Sequence, residues 1–210
     1  MPARLNAVFS LFASVRFMLK ISDNPSILPA GVAQPSELTG PWWVAHTKAR
    51  NEKAFVRDLH TMNAGYFLPL LQRTMVSGGR KRKVMHPLFT SYVFFCGDEE
   101  TRYQAMTTNR LCTVLPADDQ ARLVGELDQI NLALQGEAEL DPYPGLATGN
   151  PARVKAGPFQ GMEGTIVEWH GQTRLLLQVS MLGQGVTIEI EPDLLEPLEA
   201  EAPLAQVGGL

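Results

Sequence analysis

The stretch 87–95, with the sequence PLFTSYVFF, constrains the fold of this chain more than any other segment. It is rich in aromatic and β-branched residues, which favour extended strands because their bulky side chains pack well on a pleated surface. We therefore predict that residues 89–95 form the central strand of a sheet. The chain before and after this strand alternates between strand and helix patterns.

Two patterns define the elements that precede the central strand. In residues 41–47, alternate positions from Trp42 to His46 share one face of a strand, and Trp43 lies on the other face. Residues 51–62 have apolar side chains at helical spacing with charges between them, which predicts a helix. The other predicted elements are a strand at 66–71, a hairpin with arms at 74–76 and 83–85, a short helix at 98–105, a strand at 111–115 and a helix at 118–134. This order predicts an α+β fold in which helices pack on a mostly antiparallel sheet, an α/β sandwich.

A second, smaller unit is predicted at residues 151–198. Short strand patterns follow one another there and are separated by glycine-containing turns. An open sheet of that size would expose its edges, so we predict a small closed β-barrel. Residues 136–150 are rich in proline, glycine and acidic residues and are predicted to be a linker. Residues 1–40 are expected to be a disordered or loosely held extension, and residues 199–210 a tail.

Charge is segregated along the chain, although the net charge is only −4. Residues 41–90 contain nine Lys or Arg and two acidic residues, a net charge of +7. Residues 97–145 contain three basic and ten acidic residues, a net charge of −7. Such a distribution suits a protein that holds a polyanion with one part and repels it with another. Ordinary solvated faces explain the same numbers equally well.

Four consecutive cations at residues 80–83 stand beside the tip of the predicted hairpin. One interpretation is a solvated hairpin tip. The other is contact with phosphate groups, which requires such a density of positive charge.

The residue patterns of common enzymes are missing. Ser91 lies inside a strand without the glycines of a nucleophile elbow. The sequence SGGR at 77–80 has neither the spacing nor the following helix of a phosphate-binding loop. The thiols Cys96 and Cys112 and the four scattered histidines show no metal-ligand spacing. We therefore predict a protein without catalysis, metal or cofactor, with reduced thiols as in the cytoplasm.

The N-terminal apolar patch at 8–15 is too short to span a bilayer, and Arg16 interrupts it. We predict no membrane association.

Four sequence blocks together resemble the NusG family of bacterial transcription elongation factors, and more closely its specialised, RfaH-like antitermination branch. The blocks are WWVAHTK at 42–48, YFLP at 66–69, PLFTSYVF at 87–94 and GPFQGMEGTIV at 157–167, the last being similar to the KOW motif. The resemblance covers residues 41–198. It implies a NusG-type N-terminal domain at 41–135 and an SH3-like KOW barrel at 151–198.

The resemblance implies that the first domain binds RNA polymerase at the clamp helices of its largest subunit and suppresses pausing or termination. Physically, an exposed aromatic patch on one sheet face would suit a partner helix. The residues that match the polymerase-binding patch are Trp42, His46, Tyr92 and Phe94, with Val114 nearby. An alternative interpretation is that Tyr92 and Phe94 belong to the core.

Specialised members of the family also contact the exposed non-template DNA strand. The cationic positions expected to make this contact are Lys48, Arg80, Lys81, Arg82, Lys83 and Arg110. In this chain Asn109-Arg110-Leu111 replaces the Gly-Val pair that the family usually has in the turn before the strand at 111–115.

The KOW barrel is implied to recruit a second partner, either the termination factor Rho or a small-subunit ribosomal protein. Phe159 matches the contact position, although it could instead be a turn residue that caps the barrel. Glycine and β-branched residues are frequent between 161 and 190, so we expect a stable barrel without the helical alternative known in the RfaH-like branch. We also expect a monomer. A ribosome-binding or RNA-binding KOW protein is the alternative function.

Overall fold

The computed structural model of the protein describes residues 24–136, 139–144 and 149–198. Residues 1–23 of the predicted extension and the predicted tail at 199–210 lie outside the described residues.

The first sheet is antiparallel and has five strands in the order β1-β3-β6-β2-β7. The predicted central strand is present, but it begins only at Tyr92, because Ser91 takes a left-handed conformation with φ of 65°. Its neighbours are β2 and β3, and β7 forms an edge. The strands are β1 (Ile27–Leu28), β2 (Trp42–Thr47), β3 (Gly65–Phe67), β6 (Tyr92–Cys96) and β7 (Leu111–Pro116).

Three helices cover this sheet, α1 (Glu52–Thr61), α2 (Glu99–Thr107) and α3 (Gln120–Gln135). Two of them begin where an aspartate caps the first turn. The Asp98 side chain accepts a hydrogen bond from the Thr101 backbone N–H, and Asp119 accepts one from that of Arg122. Each carboxylate satisfies a donor that the helix leaves free. The predicted combination of helices with an antiparallel sheet is therefore confirmed for this part of the chain.

Strand alternation divides the side chains of the first sheet between two buried clusters. The outer core contains Trp43, Ala45 and Phe95 together with α1 residues such as Phe55. The inner core contains Trp42, Val44 and Phe94 and extends to α3 and beyond it. The predicted assignment of Trp42 and Trp43 to opposite faces is therefore correct.

A hairpin of β4 (Leu70–Ser77) and β5 (Arg80–Pro87) forms a separate two-stranded sheet. Gly78 and Gly79 form its turn with φ of 58° and 74°. Left-handed conformations at both central positions are typical of tight hairpin turns and favour glycine. The predicted hairpin is confirmed, with longer arms than the sequence pattern indicated.

The C-terminal sheet has six antiparallel strands in the order β13-β9-β10-β11-β12-β8. Among the described residues, the outermost strands β13 and β8 do not pair with each other, so a closed barrel is not shown. The strands are β8 (Leu140–Pro144), β9 (Pro151–Val154), β10 (Glu163–Trp169), β11 (Gln172–Val179), β12 (Gln184–Glu189) and β13 (Leu195–Pro197).

Part of the predicted linker belongs to this sheet. Leu140–Pro144 pairs with β12, with Leu140 opposite Ile188 and Pro144 opposite Gln184. The prediction of a linker over 136–150 is wrong at these residues, because the two prolines fit an edge strand that needs hydrogen bonds on only one side. Residues 137–138 and 145–148 lie outside the described residues.

The prediction of a loosely held extension is also wrong for residues 24–40. Strand β1 pairs with β3. The Ser36 backbone N–H donates to Asp128 Oδ1 at 3.0 Å, and the Ala33 carbonyl accepts from Asn131 Nδ2 at 2.8 Å. Leu38 packs against the inner core. This segment is held because it satisfies polar groups along α3.

Helix α3 lies between the two sheets. Its buried residues Leu123, Leu127 and Ile130 join Trp42 of the first sheet and Leu175 of the C-terminal sheet in the inner core. In the part of the chain that the structure describes, no helix is long and apolar enough to cross a membrane.

Candidate partner-binding surfaces

The first expected partner site is the polymerase-binding patch. In the structure some of its residues are buried and others are accessible. Trp42 and Phe94 are buried in the inner core. Gln120 at the start of α3 further fixes Trp42, since Oε1 accepts from the Trp42 N–H at 2.7 Å and Nε2 donates to its carbonyl at 3.1 Å. The expectation that Trp42 and Phe94 are exposed for polymerase binding is therefore wrong, since both side chains are buried in the structure. The start of α3 lies against Trp42, and Phe67 and Phe89 pack against the Phe94 ring.

His46 and Tyr92 remain accessible on the same face. They are directly opposite each other in the β2–β6 pair, and their rings stack with centroids 5.0 Å apart. Both side chains are partly exposed. Thr113 is opposite His46, and Leu115 is opposite Val44, on the edge strand β7. These four residues, His46, Tyr92, Thr113 and Leu115, are called the strand-end patch below.

Val114 does not join the strand-end patch. It is opposite Ala45 and packs against the outer core, on the far side of the sheet. Its neighbours Thr113 and Leu115 are exposed on the near side. The alternation of β7 against β2 could have revealed this, because residues one apart in a strand point to opposite faces.

Two of the predicted DNA contacts, Lys48 directly after β2 and Arg110 directly before β7, have intramolecular partners. Lys48 Nζ donates to Asn109 Oδ1 at 2.6 Å and is otherwise exposed. Arg110 Nε lies 3.1 Å from Asp58 Oδ2, in an ion pair with α1. Asn109 has φ of 58°, a left-handed conformation that asparagine tolerates better than most residues. Lys48 is therefore the more available cation.

The four cations of the hairpin form no ion pair with the residues that the structure describes. None of the salt bridges among the described residues involves Arg80, Lys81, Arg82 or Lys83, and all four are exposed. The base of the hairpin is anchored instead, because Lys53 Nζ of α1 donates to the Met85 carbonyl at 2.6 Å. Burial lowers the pKa of Lys53 at this contact.

Phe159, the predicted second-partner contact, packs within the molecule. It is partly buried against the inner core, and its ring lies where a Cβ at Gly136 would stand. Glycine at the end of α3 thus permits the close approach. Polar contacts also join the C-terminal part of the chain to α3, and in one of them Arg122 Nη2 donates to Ser180 Oγ at 2.8 Å. Ser180 N–H and Oγ both bond to the Glu126 carboxylate, at 2.9 and 2.5 Å, and the Glu163 N–H donates to Gln129 Oε1 at 3.2 Å.

The two thiols occupy different environments. Cys96 is buried and Cys112 is exposed. Burial raises the pKa of the Cys96 thiol to about 11. In the described ranges no three His, Cys, Asp or Glu side chains come together as a metal site.

Residues 40–132 match the NusG family, described as transcription termination factor nusG. The match spans the first sheet apart from β1, the hairpin and most of α3, and it covers less than half of the chain. This part of the chain is called the NusG-like domain from here on. No curated protein matches the chain.

The solved structures that match include two that each cover about three quarters of this chain. The structure of domain interaction in Thermotoga maritima NusG has a TM-score of 0.44 and 16% identity, covering 76% of this chain and 97% of that one. The MjSpt4:Spt5 complex in conformation B has a TM-score of 0.24 and 14% identity, covering 77% of this chain and 99% of that one.

Proposed function

We propose that this chain is a transcription elongation and antitermination factor whose NusG-like domain docks on the clamp helices of RNA polymerase. The match of residues 40–132 to the NusG family carries the proposal. Docking of this kind requires no catalysis and no cofactor. Such a factor acts in the cytoplasm, and we expect it to be a monomer.

The strand-end patch is the surface we assign to the polymerase. It combines a stacked aromatic pair, His46 and Tyr92, with Leu115, which is 36% exposed on an edge strand. Aromatic side chains that are already held in place lose little conformational entropy on binding and commonly dominate interface energies. Trp42 and Phe94 lie beside this surface on the same face of the sheet and are buried in the inner core, whereas Val114 packs on the opposite face.

The non-template DNA strand is the proposed second ligand of the NusG-like domain. Lys48 and the four cations of the hairpin are exposed and face no acidic partner among the described ion pairs. Positive charge of this density binds phosphate backbones with a strong dependence on salt. Arg110 would have to leave Asp58 to take part.

We assign the C-terminal sheet as an SH3-like KOW domain that recruits Rho or a small-subunit ribosomal protein through Phe159. The resemblance of residues 157–167 to the KOW motif supports the assignment. Because Phe159 packs beside Gly136, recruitment would require the C-terminal sheet to separate from α3.

A transcription assay with purified polymerase tests the function. Wild-type protein is expected to shorten pauses or increase read-through of a terminator, and Tyr92→Ala is expected to lose most of this effect. Tyr103→Ala is the matched control, because Tyr103 is 63% exposed on α2, away from the strand-end patch. A wild-type protein that has no effect on elongation but binds ribosomal RNA would instead support the RNA-binding alternative.

A further inference from the structure

The register of the hairpin separates its arginines from its lysines. Arg82 lies opposite Met75 and Arg80 opposite Ser77, so both arginines are on the same face as Arg73. Lys81 and Lys83 are on the other face. The run at 80–83 therefore forms two different cationic surfaces, although its sequence suggests one.

The arginine face is turned toward the C-terminal sheet. At the base of the hairpin, Leu71 shares this face and packs against the inner core. Met85 belongs to the lysine face and packs against the outer core. Since the inner core continues into the C-terminal sheet, the arginines and that sheet lie on the same side of the NusG-like domain.

A cavity of about 600 Å³ lies where the arginine face meets the C-terminal sheet. Arg73 and His86 line it from the hairpin, Thr90 from the following loop, and Tyr143 and Gln184 from strands β8 and β12. The Tyr143 ring is held against Trp169, with centroids 4.8 Å apart. A volume of this size suits a nucleotide, and it combines aromatic, cationic and hydrogen-bonding groups.

Arginine has two uses at such a surface. Its planar guanidinium binds phosphate through paired hydrogen bonds, and it stacks on bases, which lysine does less well. Arg73, Arg80 and Arg82 are exposed and take part in none of the ion pairs among the described residues. Their side chains are thus available along a path from the hairpin tip to the cavity.

We propose that the arginine face and the cavity at its base bind single-stranded nucleic acid, with the backbone on the arginines and one base in the cavity beside Tyr143. The cavity can admit an unpaired base, whereas a base pair with two backbones is too large for it. This inference deepens the contact with the displaced DNA strand and rests on that part of the proposed function. It adds the C-terminal sheet to the site.

The test is fluorescence anisotropy of the full chain with a labelled single strand of about 12 nucleotides, without polymerase. Arg80→Ala/Arg82→Ala is expected to weaken binding about 10-fold. Lys81→Ala/Lys83→Ala removes the same charge from the same strand. It is expected to weaken binding about 3-fold at most, because it lowers only the overall positive potential of the protein. Equal losses in the two variants would overturn the proposal, because only net charge would then matter.

Salt dependence and a cavity variant provide independent readouts. Loss of two phosphate contacts is expected to reduce the slope of log Kd against log salt by about 1.4 in the arginine variant. Tyr143→Ala is expected to weaken single-strand binding about 5-fold or more, and Tyr143→Phe to retain it. Duplex binding as tight as single-strand binding would also overturn the proposal.

Two further comparisons identify the type of nucleic acid and distinguish this proposal from polymerase docking. Tighter binding of DNA than of RNA of the same sequence would identify the displaced strand, and the reverse would identify the transcript. Because the assay contains no polymerase, single-strand binding can be observed even if the strand-end patch does not dock on polymerase. A wild-type protein that binds polymerase but no single strand would overturn this inference alone.

Discussion

At the scale of single residues, burial separates aromatic side chains that the sequence places together. Tyr92 and Phe94 are two apart on β6 and share a face, so the sequence treats them alike. In the structure Phe94 is fully buried beside Phe67 and Phe89, and Tyr92 stacks on His46 at the surface. Phe67 and Phe89 pack against the Phe94 ring, whereas Tyr92 packs on the partly exposed His46. A substitution at Tyr92 can therefore test docking, and a substitution at Phe94 can test stability.

Phe94→Ala is expected to lower the free energy of unfolding by about 3–5 kcal/mol, because it leaves a cavity in the inner core. Tyr92→Ala is expected to cost about 1 kcal/mol or less, since its side chain is partly exposed. Urea denaturation followed by circular dichroism measures both. Equal, small losses would contradict the burial of Phe94.

Because of Cys96, the free energy of unfolding is expected to fall as the pH rises in the alkaline range. Its thiol titrates at about 11 in the folded protein and near its ordinary value of 9.0 in the unfolded chain. The folded state therefore binds this proton more tightly, and the resulting stability is complete below pH 9 and is lost as the pH rises toward 11. Between pH 8 and 10.5 the wild type is expected to lose about 2 kcal/mol more than Cys96→Ala. Cys112→Ala is the control, and it should follow the wild type because that thiol is exposed.

At the scale of elements, the sequence predicts most of the NusG-like domain. The strand at Trp42–Thr47, the helix at Glu52–Thr61 and the hairpin follow from local alternation, helical spacing and a glycine turn. Strand β8 could not be predicted, because its sequence LDPYP looks like a loop and only its pairing with β12 makes it a strand. Strand β1 has two residues and likewise depends on a distant partner.

The hairpin is the element that we expect to open most readily. Within the described ranges its strands pair only with each other, and residues 73–76 and 80–83 are exposed. Amides at 74–76 and 81–83 are therefore expected to exchange hydrogen faster than those of β2 and β6, at least about 10-fold, by mass spectrometry. Binding of a single strand should slow their exchange. Exchange as slow as in β6 would show that another surface holds the hairpin.

At the scale of the whole molecule, α3 unites the two sheets in one inner core. The sequence predicts this helix and its apolar residues Leu123, Leu127 and Ile130, but it does not show that both sheets use them. For the same reason, the sequence could not indicate that Phe159 packs beside Gly136. These contacts join parts of the chain that no local pattern connects.

Glu126 holds this arrangement together. Its carboxylate accepts hydrogen bonds from Ser180 and lies 3.1 Å from Arg122 Nε, with little of its side chain exposed. Glu126→Ala is expected to lower the free energy of unfolding by about 1–3 kcal/mol, because it leaves the partly buried N–H of Ser180 without its acceptor. Faster hydrogen exchange at residues 179–182 should accompany the loss. Glu100→Ala on the exposed side of α2 is the control and is expected to change neither quantity.

Docking of the strand-end patch on RNA polymerase is best tested by measuring the affinity of the full chain for core polymerase. We would compare the wild type with His46→Ala/Tyr92→Ala and with Tyr103→Ala, after confirming by circular dichroism that all three fold. The double variant is expected to bind at least about 30-fold more weakly, because it removes a central aromatic contact, and Tyr103→Ala is expected to bind like the wild type. Equal affinities for the wild type and the double variant, or a wild type that does not bind polymerase, would contradict docking through this patch.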